Sequence, residues 1–125
     1  MCSRYCLTSP HEAVRAAFGY HNSETFPPRF NIAPTQPVAI VRNDLRQRRE
    51  LTLVRWGLIP SWLKDPGKIS TLINARAETA GERASFRGSM RHRRCLVPAD
   101  GFYEWKGKAG GRRPLEELVR YERYS

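Results

Sequence analysis

Strict alternation opens the chain. From Cys2 to Leu7, Cys2, Arg4 and Cys6 fall on one face of a short strand and Ser3, Tyr5 and Leu7 on the other, so Cys2 and Arg4 project together. The period then changes. Ser9-Pro10-His11-Glu12 reads as a helix start, with Ser9 as N-cap, Pro10 in the first turn and Glu12 closing a capping box; Val14, Ala17 and Phe18 supply the apolar stripe and Gly19 ends it. Tyr20 to Thr35 keeps no period, and Pro27, Pro28 and Pro34 predict an extended loop around Arg29-Phe30-Asn31-Ile32-Ala33. Val38 to Arg42 and Leu51 to Trp56 are rich in β-formers and predict an antiparallel pair joined by a polar, basic connection.

Gly57 and Pro60 interrupt the next stretch, Trp56-Gly57-Leu58-Ile59-Pro60-Ser61-Trp62. Its tryptophans have two readings: core residues, or a ring at a groove edge on which a base stacks for about 1–3 kcal/mol. Thr71 to Arg76 predicts a buried segment ending in polar Asn74 and Arg76, and Ala77 to Ser89 a partly helical one anchored by Phe86. Arg94 to Val97 and Phe102 to Lys106 read as strands about Pro98-Ala99-Asp100-Gly101, whose Asp-Gly pair signals a turn. Phe102, Glu104 and Lys106 share one face. Lys106 to Arg113 is a Gly/Lys/Arg connection, after which Leu115, Leu118, Val119 and Glu122 recur at helical spacing over Pro114 to Ser125. No internal repeat or domain linker interrupts the 125 residues, which fit one domain.

Composition narrows the class. A chain that is 40% hydrophobic, with three Trp, five Tyr and five Phe, is not disordered. No apolar run approaches the roughly 20 residues of a membrane span and none near the start resembles a secretory h-region, so a cytosolic or nuclear protein without membrane association is expected. Twenty-two Lys and Arg against twelve Asp and Glu leave a net charge of +10. Arginine dominates this excess, and its planar fork suits phosphate and its face suits bases. The competing reading is a solvated basic surface, with Arg46 to Arg49 and Arg91 to Arg94 as hairpin tips. Cys2, Cys6 and Cys95 are odd in number and match no standard zinc spacing, and a site joining them to His11, His21 or His92 is the minor alternative. No cofactor is called for.

Two residues carry candidate chemistry. Cys2 follows the initiator Met1, and once Met1 is removed it bears a free α-amine beside its thiol, two nucleophiles on adjacent carbons. Such a 1,2-aminothiol condenses with an aldehyde to an imine, which the sulfur closes into a thiazolidine. The alternative is an inert small cysteine. Glu104, between aromatic residues, is a general acid/base if partly desolvated, since burial raises a carboxyl pKa; otherwise it is an exposed strand carboxylate.

Five ordered blocks bring these residues together: Met1-Cys2-Ser3-Arg4-Tyr5, Arg29 to Pro34, Trp56 to Trp62, Asn74-Ala75-Arg76-Ala77-Glu78-Thr79, and Arg94 to Trp105. In them the chain resembles the SRAP (SOS-response-associated peptidase) family, which includes the abasic-site processing proteins. The resemblance implies an α+β fold with antiparallel sheets curled into a barrel-like core, flanking helices and a positively charged groove for single-stranded DNA. It implies that Cys2 captures the ring-opened abasic-site aldehyde as a thiazolidine DNA–protein crosslink. Asn74 and Glu104 would be its catalytic partners, Arg4 and Arg76 would contact phosphates, and Pro34 and Trp62 would shape the groove and meet bases. Autoproteolytic removal of Met1 and a β-lyase-like activity come with the family. Residues 1–106 would form the family-like domain, its N-terminal half, and 107–125 a divergent basic tail. A monomer is expected, nucleoid-associated in a bacterium and nuclear in a eukaryote.

Two departures accompany the match. Ser3 stands where the family usually has glycine, and the family's later His-x-Arg-Met-Pro type block has no counterpart, so an incomplete domain is expected. Two other functions fit the same residues: a non-catalytic nucleic-acid-binding module, and an N-terminal cysteine peptidase or hydrolase.

Overall fold

The computed structural model describes residues 2–65, 67, 71–106 and 113–117, with side chains as far as Glu104. Among the described residues six strands and three helices follow in the order β1 (Arg4–Leu7), α1 (His11–Phe18), β2 (Arg29–Ile32), β3 (Pro37–Asn43), β4 (Arg49–Arg55), α2 (Ala77–Ala80), α3 (Ala84–His92), β5 (Gly101–Lys106) and β6 (Arg113–Glu117). They build a four-stranded antiparallel sheet in the order β2-β1-β5-β6 and a two-stranded one, β3-β4. The α+β class with antiparallel sheets is as expected, and the described strands do not close into a barrel.

β1 is an inner strand of the larger sheet. It pairs with β5 through Arg4↔Tyr103, Tyr5↔Phe102 and Cys6↔Gly101, and with β2 through Tyr5↔Ile32 and Leu7↔Arg29. Tyr5, Cys6 and Leu7 are all buried, where alternation alone would bury one face: Tyr5 and Leu7 enter the core, and the Cys6 thiol donates to the Gly101 carbonyl of β5. Tyr5 and Leu7 join Val14, Tyr20, Ile32 and the β3–β4 residues Val38 to Val41 and Leu51 in one core, so both sheets share it. The antiparallel pairing of β3 with β4, expected from their β-rich pattern, runs from Pro37↔Arg55 to Asn43↔Arg49.

Five expectations change. The stretch read as a loop holds β2, because a strand partner supplied by β1 outweighs the local proline signal. Pro10, not Ser9, caps α1, and no side chain closes a capping box. The Ser9 hydroxyl donates instead to Asp100 at 2.6 Å. Arg94 to Val97 is not a strand hairpinned to β5; it makes a single bridge, Leu96 to Val41 of β3, and Pro98 to Asp100 then carry the chain across to the other sheet. Arg46 to Arg48 do lie in the β3–β4 tip and Arg49 opens β4, whereas Arg91 and His92 end α3 and Arg93 and Arg94 follow it. Finally, Arg113–Glu117 is a strand paired with β5, Glu104 opposite Leu115, where the side-chain spacing predicted helix. Leu118, Val119 and Glu122 lie outside the described residues. Among the expectations that hold, Gly19 ends α1 in the left-handed conformation, its N–H donating to the Arg15 carbonyl.

Candidate functional site at the start of β1

Cys2 enters β1 half-buried, its thiol 3.5 Å from the Arg4 carbonyl to which it donates. Arg4 folds its guanidinium back onto the Ser3 carbonyl at 2.7 Å. Opposite Arg4 stands Tyr103, whose hydroxyl reaches past β1 and donates to the Phe30 carbonyl of β2 at 2.9 Å. That bond ties three strands together beside Cys2. Glu104, half-buried, is the next residue of β5 after Tyr103, as Ser3 is the next residue back from Arg4. Cys2, Arg4 and Glu104 therefore sit on neighbouring segments of two paired strands.

Asn74 and Arg76 arrive from another part of the chain. Leu72 bridges Leu58, and the Trp56 indole N–H donates to the Ile73 carbonyl at 3.0 Å. The same indole packs on Tyr5 of β1, ring centroids 5.5 Å apart. Asn74, one residue beyond Ile73, is half-buried, and Arg76, exposed, caps α2. Pro34 lies in the turn after β2, held against Trp56 by Thr35 N–H to Trp56 carbonyl at 2.8 Å and Trp56 N–H to Gln36 carbonyl at 3.0 Å. Arg29 steadies the same turn by donating to the Pro37 carbonyl and the Gln36 amide oxygen. Trp62 is 58% exposed and lines a cleft of about 120 Å³ with Ser61, Ser89 and Arg93, against α3. The structure thus puts Glu104, with Phe102, on the Tyr5 face of the sheet and Arg4, with Tyr103, on the other, and links the Asn74 segment to Tyr5 through Trp56. It sets Trp62 on the α3 side.

Two residues that organise this region had no chemical signature in the sequence. Tyr5 counted as one apolar position in an alternating run, yet its hydroxyl is buried without a hydrogen-bond partner among the described residues. Burial pushes its phenol up to about 12, Arg29 nearby pulls it down, and Cys2 adds a smaller upward push. Trp56 was legible as an aromatic in a glycine- and proline-broken block, but its role as the link between Tyr5 and Ile73 needs the tertiary contact. Among the described residues no cluster of His, Cys, Asp or Glu could hold a metal ion.

The chain spans about half the length of the curated relatives it matches. "Abasic site processing protein YoqW" of Bacillus subtilis is 41% identical over 109 residues, which cover 85% of this chain and 48% of that protein. "Abasic site processing protein HMCES" of Gallus gallus is 32% identical over 137 residues, covering 91% of this chain and 41% of that one. Among solved structures, a Bordetella bronchiseptica protein superposes with a TM-score of 0.71 at 32% identity, over 92% of this chain and 56% of that chain. A Bacteroides thetaiotaomicron protein does so at 0.79 and 23% identity, over 97% and 56%, a likeness of fold. The SOS response associated peptidase (SRAP) family matches residues 1–118, and the chain belongs to that family.

Proposed function

We propose that this protein processes abasic sites in single-stranded DNA, capturing the ring-opened aldehyde through Cys2. The observation that carries the reading is the position of Cys2: half-buried just before β1, two residues ahead of Arg4, with its thiol donating to the Arg4 carbonyl. The named relatives, both abasic site processing proteins, support the same substrate.

The chemistry needs Met1 gone, so its autoproteolytic removal belongs to the proposal; Met1 lies outside the described residues. The freed α-amine of Cys2 attacks the aldehyde carbon and water leaves, giving an imine. The thiol then adds across the C=N bond: sulfur bonds to carbon and the proton ends on nitrogen, closing the thiazolidine. One water is released and nothing is oxidised or reduced. Glu104 moves the protons in both steps, first helping the carbinolamine oxygen depart as water. Asn74 hydrogen-bonds the sugar or the nucleophile. Arg4 and Arg76 hold the flanking phosphates, which fixes the aldehyde near the amine. Pro34 and Trp62 meet bases along the groove. A β-lyase-like strand cleavage would proceed from the imine before the ring closes.

The test is a single-stranded oligonucleotide carrying one uracil, treated with a uracil-removing glycosylase and incubated with the protein. A heat-stable adduct is expected, lost in Cys2→Ala and absent on the untreated oligonucleotide. An undiminished adduct in Cys2→Ala overturns the reading. Equal, salt-sensitive binding of both oligonucleotides without adduct would establish the non-catalytic binding module instead. Turnover of a peptide or amide in trans would establish the hydrolase.

A further inference from the structure

A cleft of about 120 Å³ separates Trp62 from α3. The Trp62 ring is 58% exposed beside buried Pro60, so it lines the opening rather than filling the core. The two tryptophans of this block are used differently. Trp56 spends its indole N–H on the Ile73 carbonyl and its ring on Tyr5. Among the described residues Trp62 makes no hydrogen bond and no ring contact, and Arg93, at the end of α3 and also lining the cleft, has no carboxylate partner.

α3 supplies the other wall. Ser85, Gly88, Ser89 and His92 stand at i, i+3, i+4 and i+7, the spacing of one helix face, and all four line the cleft. A Cβ at Gly88 would meet no atom of another element within 4 Å, so the space beside it is open. None of the described lining residues is acidic. What fits is planar on its face and anionic at its edge: an unpaired base with its phosphate. Stacking on an aromatic ring holds single strands with little regard to sequence, and a guanidinium fork suits phosphate. The C-terminal end of a helix favours cations, so the phosphate contact falls to the Arg93 side chain and not to the backbone there.

We propose that this cleft is a lesion-independent base subsite with α3 as its second wall: one unpaired base enters between Trp62 and the Gly88–Ser89 face, and Arg93 holds its phosphate. The inference rests on the reading of single-stranded DNA as the ligand and goes beyond it in assigning Gly88, Ser89 and Arg93. It asks nothing of the Cys2 chemistry. An undamaged strand is gripped here whether or not an abasic site lies at Cys2.

The test titrates a fluorescein-labelled oligothymidylate, free of abasic sites, with the full chain. Trp62→Ala should weaken binding about tenfold or more, and Trp62→Phe, which keeps a ring, much less. Gly88→Leu fills the cleft from a position with room for its Cβ, and should weaken binding as Trp62→Ala does. Arg93→Gln should make log K less steep in log salt by about 0.7, the share of one phosphate on a single strand. Arg46→Gln, at the β3–β4 tip, removes the same charge and should leave that slope unchanged. The proposal is overturned if the parent chain does not bind the oligothymidylate, or if Gly88→Leu or Trp62→Ala binds it as the parent does. It is also overturned if Arg46→Gln alters the slope as much as Arg93→Gln, or if a polyglutamate peptide binds and loses affinity in Gly88→Leu, which would assign the cleft to acidic polypeptide. The probe carries no aldehyde, so failure here and failure of adduct formation are read separately.

Discussion

The indole of Trp56 lies against the ring of Tyr5, centroids 5.5 Å apart and planes tilted by 60°. This contact joins the two sheets, since Tyr5 belongs to β1 and Trp56 directly follows β4. The indole's far edge then holds the Ile73 carbonyl at 3.0 Å, one residue from Asn74. An edge-inclined aromatic pair contributes about 0.5–1.5 kcal/mol beyond its burial. One side chain therefore sets the distance between the strand bearing Cys2 and the segment bearing Asn74.

Trp56→Phe keeps an aromatic ring against Tyr5 and deletes the N–H. Global stability should fall by only about 1 kcal/mol, the net worth of one hydrogen bond. Adduct formation should slow by more than that stability loss explains, because the Asn74 segment loses its tether. Denaturant unfolding and single-turnover adduct kinetics, run side by side, check this. An unchanged adduct rate would detach Trp56 from the site.

Gly57 follows at φ +144°, in the region that favours glycine, and a Cβ there would lie 2.1 Å from the Thr71 methyl. Gly57→Ala should cost about 2–3 kcal/mol from backbone strain and overpacking together. Its local signature is loss of exchange protection at the Leu58 and Leu72 amides, which bond each other's carbonyls at 2.8 and 3.4 Å. Pairing with Thr71→Ser, which removes the obstructing methyl, should recover part of the loss. Failure of that rescue would leave φ strain as the sole cause.

Much of this was legible in the residues, and what was not follows a physical pattern. The β3–β4 pair declared itself through β-branched and aliphatic runs, and α1 through its stripe and Gly19. Both are local signals. β2 and β6 did not, since their prolines and charges are tolerated only once β1 and β5 offer an edge to pair with. The Ser9 cap was misread for the same reason: a carboxylate 91 residues away competed for its hydroxyl. Cys2 and Glu104 drew attention through their chemistry and Arg4, Asn74 and Arg76 through the family resemblance, and their roles belong to the proposal above. The roles of Tyr5, Trp56 and Tyr103 were hidden because each acts through a contact between distant segments.

The Tyr5 phenol carries a pH prediction. Burial raises it to about 12, with Arg29 opposing and Cys2 adding to the rise. In the unfolded chain it titrates near 10. The folded state thus holds the proton more tightly, and between about pH 10 and 12 stability falls as pH rises. Tyr5→Phe removes both this dependence and a buried hydroxyl without a partner among the described residues. Stability at pH 7 should hold or rise by about 1 kcal/mol. The alkaline decline should become shallower, as thermal melts from pH 8 to 11 would show. A loss of more than about 1 kcal/mol at pH 7 in the variant would mean the hydroxyl is satisfied in solution.

Asp100 anchors the corner where β1 ends and α1 begins. Its carboxylate accepts from the Thr8 N–H at 2.5 Å, the Thr8 hydroxyl at 3.3 Å, the Ser9 N–H at 2.8 Å and the Ser9 hydroxyl at 2.6 Å. Burial alone would raise its pKa, but these four donors together outweigh it and hold the carboxyl below the ordinary value. The folded state binds the proton less readily, so the stabilisation is present above about pH 4 and is lost as pH falls through the folded pKa. Asp100→Asn keeps the shape, removes the charge and turns an amide donor toward groups that are themselves donors. It should cost about 2 kcal/mol at pH 7, lowering Tm by on the order of 8 °C. That gap should narrow as the pH falls from about 4 through the folded pKa, below which the native carboxylate is protonated as well. A gap that stays constant from pH 7 to 3 would place the effect in packing, and would separate the corner's geometry from its charge.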